Sequence, residues 1–229
     1  MIGEAFKRVE VAVGRRGLGG NLFLPPRASG LIIFAHGSGS SRFSPRNALV
    51  AESLVARGFA ALLFDLLHLE ESENRHNVFD IALLAARLQE AIGWASRESE
   101  IGDLPIGLFG ASTGAAAALV AAAQEPASIA AVVSRGGRPD LAAERLAHVK
   151  APTLLIVGGF DHEVLGLNRW ALGRLRCKAR LEVVPGATHL FEQPGTLERV
   201  AEIAGDWFVR HVPAAGKAGK EGVDEPARA

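Results

Sequence analysis

Three side chains far apart in the chain, Ser112, Asp161 and His189, are of the types that acyl transfer needs. A serine hydroxyl is a weak nucleophile until a base takes its proton, and the base needs an acid to fix its tautomer and stabilise its charged form. Ser112 lies in Gly110-Ala-Ser-Thr-Gly114, a G-x-S-x-G pattern. An apolar run, Ile106 to Phe109, precedes it, and an alanine-rich run of strong helix propensity, Ala115 to Ala123, follows it. Strand, sharp turn and helix therefore come in the order that holds a serine on a strained turn above a sheet. Glycines are needed on both sides, because a Cβ there would meet the neighbouring strand or helix. The N-terminus of the helix would offer unpaired N–H groups to an oxyanion. The competing interpretation is a flexible turn with a helix-capping serine.

Candidate partners stand after two later strands. Gly158-Gly-Phe-Asp161 follows the run ending at Val157, and Pro185-Gly-Ala-Thr-His189 follows the run ending at Val184. Each of the three groups thus lies just past the end of a different predicted strand, so a parallel sheet would bring them to one edge. Asp140 and Glu163 are fallback acids.

The elements that must position these groups are legible as buried runs. Phe6–Val13 and Gly19–Leu24 predict an antiparallel hairpin of edge strands across Gly14-Arg-Arg-Gly17. Gly30–His36 and Phe59–Leu67 are continuous apolar runs, as expected of strands covered on both faces. Between them Gly37-Ser-Gly-Ser-Ser-Arg42 is a low-bulk loop whose N–H groups could approach a ligand, and a helix runs from Ser44 to Arg57. His68–His76 reads as a polar surface loop, with either a solvated or a substrate-rim role. The three-to-four spacing of apolar residues predicts a long helix over Val78–Ser99. Strands at Ile129–Ser134, Ala151–Val157 and Ala179–Val184 then alternate with helices over Leu141–Val149, Val164–Arg176 and Thr196–His211. Such alternation predicts an α/β fold, a doubly wound, mostly parallel sheet with helices on both faces.

Composition narrows the function classes. With 229 residues, 48% of them hydrophobic, the chain suits one α/β domain, residues 1–212, followed by a Gly/Pro/charge-rich disordered tail, residues 213–229. Lys+Arg and Asp+Glu both number 25, which gives no reason to propose nucleic acid or an anionic membrane as partner. A lone Cys177, the lack of a signal-peptide pattern and the lack of an apolar run near about 18 residues predict a cytoplasmic protein off the membrane. No metal-ligand spacing, P-loop or dinucleotide fingerprint occurs, so neither metal nor cofactor is expected.

The sequence resembles the α/β-hydrolase superfamily, and in particular its small, lidless dienelactone-hydrolase-like branch. The residues that carry the likeness are His36-Gly-Ser-Gly, Gly110–Gly114, Gly159-Phe-Asp161 and Ala187-Thr-His189, within a resemblance spanning roughly residues 20–212. It implies an α/β-hydrolase fold with Ser112 as nucleophile, Asp161 as acid and His189 as base. The backbone N–H groups of Thr113 and Ser38 would form the oxyanion hole. Dienelactone hydrolases proper use a cysteine nucleophile, so their particular substrate is not carried over to a chain with Ser112.

The function so implied is hydrolysis of a small ester, thioester or lactone through an acyl-enzyme. A peptidase or acyltransferase with the same triad and a non-catalytic binding protein of the same fold are the alternatives. Only Arg135-Gly-Gly-Arg-Pro-Asp140 separates a strand from the next helix where relatives insert a cap, which predicts no cap domain. The expected site is an open cleft rimmed by residues 38–44, 66–77 and 135–140, suited to short or water-soluble small-molecule substrates. Arg135 and Arg138, past the strand ending at Ser134, are candidates to anchor an anionic group of the substrate. Pairing with Glu70, Glu71 or Glu73 is their structural alternative. Oligomeric state is not legible.

Overall fold

The buried apolar runs form the middle of an eight-stranded sheet in a computed structural model, which describes residues 6–214. The strands are β1 (Lys7–Val13), β2 (Leu18–Leu24), β3 (Leu31–Ala35), β4 (Ala60–Phe64), β5 (Ile106–Ala111), β6 (Ile129–Arg135), β7 (Thr153–Gly158) and β8 (Ala179–Val184). Their order is β1-β2-β4-β3-β5-β6-β7-β8. Pairing is antiparallel for β1 with β2 and β2 with β4, and parallel from β4 to β8. Among the described residues only β1 and β8 are edges. β2, expected at an edge, is enclosed between β1 and β4, which is why its side chains are almost all buried. The opening hairpin continues the sheet rather than standing beside it.

Helices α1 (Pro45–Ala56) and α7 (Thr196–His211) cover one face. The other face carries α4 (Ile81–Ala95), α5 (Thr113–Gln124), α6 (His162–Leu172) and a 3-10 helix, Pro139–His148. The expected α-helix over 141–149 is this 3-10 segment, broken at Ala142. Ser44 caps α1 by accepting the Asn47 N–H at 3.3 Å, with Pro45 in the first turn where its missing N–H costs nothing.

α5 is buried on every side from Thr113 to Ala122. A helix apolar all round must be enclosed, and its alanines leave so little side-chain bulk that the sheet, α4 and the 3-10 helix approach it closely. Beneath the elbow, Phe34 and Phe109 of adjacent strands stack with centroids 4.8 Å apart.

Two boundaries differ from the sequence expectation. The polar segment after β4 is not a loop but two one-turn helices, α2 (Leu69–Glu73) and α3 (Arg75–Phe79). The long helix begins only at Ile81, because Asp80 caps it and Val78 belongs to α3. Glu71 holds α2 in place, accepting from the buried Arg87 of α4 at 2.5 Å, while Asn77 donates to the Glu71 carbonyl at 2.9 Å. Between β6 and β7 the described residues contain no inserted domain, only the 3-10 segment. Of the tail expected from residue 213, all but residues 213 and 214 lies outside the described residues.

Candidate active site

The parallel sheet brings the loops after β3, β5, β6, β7 and β8 to one edge, and the three chemistry-bearing side chains stand on it. Ser112 adopts φ 51°, ψ −121°, a conformation strained for a residue with a Cβ. Its side chain caps nothing on α5, so the capping interpretation fails and the hydroxyl is left free. The strain is held by backbone: the Ser112 N–H donates to the Arg135 carbonyl at 3.2 Å, and the Ser112 carbonyl accepts from Arg138 at 3.1 Å and Ala115 at 3.1 Å. The flanking glycines are required as expected. A Cβ on Gly110 would overlap the backbone of Ala115, and one on Gly114 would overlap the carbonyl oxygens of Ala35 and His36.

Asp161 and His189 meet as the strand ends place them. A hydrogen bond of 2.6 Å joins His189 Nδ1 to Asp161 Oδ2, with the acid 13% and the imidazole 39% exposed. The histidine loop is braced by Gln193 Oε1, which accepts the Thr188 N–H at 3.0 Å, and by Phe191, which is buried at φ 55°. The fallback acids are elsewhere engaged or unbonded to His189: Asp140 pairs with Arg138, and Glu163 opens α6.

The loop after β6 links the two halves. Gly136, at φ 52°, lies so close to His189 that a Cβ there would sit 3.2 Å from its carbonyl and 3.5 Å from its ring. Its neighbours Arg135 and Arg138 meanwhile hold the Ser112 backbone. Gly136 therefore makes room for the protein's own histidine loop, and Gly137, where a Cβ would overlap Ser134 Oγ and Ala115 Cβ, makes room for β6 and α5, rather than either serving an approaching ligand. Asn168 of α6, fully buried, fixes this loop by donating to the Gly137 carbonyl at 2.9 Å. The only trace of Asn168 in the sequence is a polar residue on an otherwise apolar helix face.

The two arginines part company. Arg138 makes a two-nitrogen fork with Asp140, at 2.9 and 2.7 Å, which pushes its pKa further up. Its partner is thus an acid two residues away, and neither a free anion site nor Glu70, Glu71 or Glu73. Arg135 turns inward, is 8% exposed, and reaches only Asn47 Oδ1 at 3.4 Å.

On the oxyanion side, the Ser38 N–H donates to Thr113 Oγ1 at 3.0 Å. His36 ties the loops after β3 and β4 together: its Nδ1 faces the Gly37 carbonyl at 3.0 Å and its Nε2 accepts the Leu66 N–H at 3.1 Å. Burial lowers its pKa, against the opposing pull of Gly37 and Asp65. Asp65 anchors its loop, accepting the Arg42 N–H at 2.7 Å and pairing with the Arg42 guanidinium.

A cleft of about 760 Å³ opens beside Ser38 and Thr113. Its walls are Phe43, Leu66, Leu67, Leu69, Val78 and Leu84, with Arg42 and Arg46 adding charge. Residues 135–140, expected on its rim, do not line it, since their loop is pinned between Ser112 and His189. Among the described residues no group of three or more His, Cys, Asp or Glu could hold a metal ion, and no helix is long and apolar enough to cross a membrane.

A sheet of this order, a strained serine after β5 and an Asp–His pair after β7 and β8 are the features of the α/β-hydrolase fold. The chain belongs to the dienelactone hydrolase family, which it matches over residues 18–212. It is similar to a dienelactone hydrolase from Anabaena variabilis, with 53% identity, a TM-score of 0.87, and coverage of 91% of this chain and 98% of that one. An esterase of Pyrococcus furiosus, 18% identical, shares the fold with a TM-score of 0.70 over 91% of this chain and 92% of its own. The chain is also 56% identical, over 213 residues or 93% of its length, to a Mycobacterium tuberculosis protein whose name proposes a phosphoribosyl transferase. The match covers 48% of that protein, so the chain spans about half the length of the curated relatives it matches.

Proposed function

We propose that the chain is a serine hydrolase that cleaves a small ester, thioester or lactone through an acyl-enzyme. The observation that carries this is the 2.6 Å Asp161–His189 bond at the same sheet edge as a strained serine whose hydroxyl caps nothing. Asp161, accepting from Nδ1, selects the tautomer that leaves Nε2 free to take a proton. In the first step Ser112 Oγ attacks the substrate carbonyl while His189 Nε2 takes its proton. The Thr113 N–H stabilises the oxyanion, joined by the Ser38 N–H as it turns to the oxyanion from the Thr113 hydroxyl that accepts it in the free protein, and His189 then gives the proton to the leaving oxygen or sulfur. Water repeats the sequence on the acyl-enzyme, and His189 returns the proton to Ser112. No metal or cofactor enters the scheme.

Family membership and the name of the Anabaena relative support an ester or lactone as the substrate class. The apolar cleft falls in the range of about 300–1,000 Å³ usual for small-molecule sites, which favours a small acyl or aryl group. Phosphoribosyl transfer is not proposed, since the relative so named is about twice as long as the matched segment.

An alkyl fluorophosphonate tests the reading directly. The wild type should be labelled one to one and should hydrolyse p-nitrophenyl acetate. Ser112→Ala should take no label, and Ser112→Ala and His189→Ala should each lower kcat by about 10³-fold or more, the double variant being little worse. A folded wild type that neither labels nor turns over ester would leave a binding protein. Preferential transfer of the acyl group to an amine or alcohol over water would make it an acyltransferase.

A further inference from the structure

Arg135 is a charged side chain at this edge that the proposed chemistry does not use, and unlike Arg138 and Arg42 it has no acid partner. It ends β6 on the same face as Ala131 and Val133, toward α1 and α7. Its Nε and Nη1 are buried with no hydrogen-bond partner, and its one contact, Asn47 Oδ1 at 3.4 Å, is long. Nε of the neighbouring Arg46 is likewise buried and unpartnered. Neither arginine takes part in any ion pair of the described residues. Burial and the like charge of Arg46 push the Arg135 pKa down to about 10.

These groups converge on the first turn of the twelve-residue helix α1. There Pro45 has no N–H, Ser44 Oγ satisfies that of Asn47, and the Arg46 N–H remains. The positive end of the helix dipole adds to two guanidiniums. A buried charge is ordinarily paired, because desolvation strips it of water without return, and here no acid pairs with either guanidinium among the described residues. The fork edge of a guanidinium, Nε with Nη2, is what an oxygen anion takes, and on Arg135 that edge meets only the long Asn47 contact.

We propose that Arg135, Arg46 and the first turn of α1 form a binding site for an oxyanion, a carboxylate or phosphate group, set against the Ser112 elbow. The anion supplies the countercharge that the fold withholds. The backbone of Arg135 adjoins the elbow, since its carbonyl receives the Ser112 N–H. The site stands independently of the hydrolase activity: binding tests whether it exists, and turnover is used only to tell where its anion comes from.

The full chain is melted in a zwitterionic buffer, with sodium phosphate or sodium acetate titrated in and sodium chloride holding ionic strength constant. A saturable rise in Tm is expected from at least one of the two anions, reaching several degrees once the anion far exceeds its Kd. Arg46→Gln should abolish the rise. Arg135→Met should also abolish it, and in anion-free buffer it should melt at or above the wild type, because an uncompensated buried charge has been removed. A rise that fails to saturate, or that persists in Arg46→Gln, would overturn the site. So would an Arg135→Met variant that folds, melts lower and still responds; if that variant does not fold, Arg46→Gln alone decides. The source of the anion is read from two p-nitrophenyl esters, one with a free carboxylate on its acyl group and one neutral. If the substrate brings the anion, phosphate competes with the acidic ester only, and Arg46→Gln lowers its kcat/KM more than tenfold relative to the neutral one. If the anion is a resident ion, both esters respond alike.

Discussion

Thr113 carries two functions in one residue. Its backbone N–H opens α5 beside the nucleophile, and its hydroxyl oxygen receives the Ser38 N–H at 3.0 Å across the cleft floor. The hydroxyl therefore decides where the loop after β3 puts its donors. Replacing it with valine keeps shape and N–H but leaves Ser38 unanchored. We expect Thr113→Val to lower kcat on the order of tenfold to a hundredfold with KM little changed, since displaced donors weaken oxyanion stabilisation more than substrate binding. Thr113→Ser, which keeps the acceptor, should recover most of the loss; equal steady-state constants for valine and wild type would show that Ser38 does not depend on it. The sequence disclosed the Ser, Asp and His because each follows a strand, and strand ends in a parallel sheet share an edge. It could not disclose the Thr113 hydroxyl or Asn168, whose roles exist only once two distant loops touch. Nor could it separate Arg135 from Arg138, which share a loop: the second is paired by an acid two residues on, and the first is turned under the elbow by the strand's alternation.

The elbow is rigid because three elements meet without side chains between them. β5 enters past Gly110, α5 leaves past Gly114, and the end of β3 presses on Gly114 with two carbonyl oxygens. Backbone atoms of a central strand cannot yield as a side-chain tip can. Gly114→Ala should therefore destabilise the fold by about 2–3 kcal/mol or more. Gly166→Ala, in the middle of α6 where a Cβ meets nothing within 4 Å, should be neutral or stabilising by about 0.5–1 kcal/mol. Urea midpoints for the two variants give the comparison, and similar midpoints would show that the elbow relaxes. Strands and long helices of this fold were legible because continuous apolar runs and three-to-four periodicity survive any tertiary context. The segment at 68–79 was not, for one-turn helices are made by local caps, here His68 with Glu71 and Asn74 with His76, inside a polar stretch that also fits a loop. The enclosed position of β2 was hidden for another reason: the hairpin pattern fixes its pairing with β1 and is silent about its other side.

The stability of the whole molecule should carry the mark of two half-buried imidazoles, His36 and His211. His36 joins the loops after β3 and β4 in one neutral tautomer, Nδ1–H donating to the Gly37 carbonyl and Nε2 accepting from Leu66. A second proton would set N–H against N–H at Leu66, in a place already stripped of water. Burial, the largest cause, accordingly lowers the His36 pKa from the usual 6.5. His211, on α7, is lowered too, by desolvation first and by Lys178 and Arg210 after it. With folded values below unfolded ones, the unfolded chain binds more protons in the window between them, so stability rises with pH there. The contribution is complete above about pH 6.5 and is lost as the pH falls toward the folded values. We expect the wild-type Tm to drop between pH 7 and pH 5, the drop to be shallower in His36→Asn, and shallower still with His211→Gln added. Melting curves at fixed ionic strength measure it, and slopes identical across the three proteins would place the acid sensitivity elsewhere. Because His36 bonds the loop that floors the cleft, the proton that weakens the fold also releases Leu66 from the cleft wall. Ester turnover and Tm should therefore decline together below pH 6.5 in the wild type, and both declines should be shallower in His36→Asn.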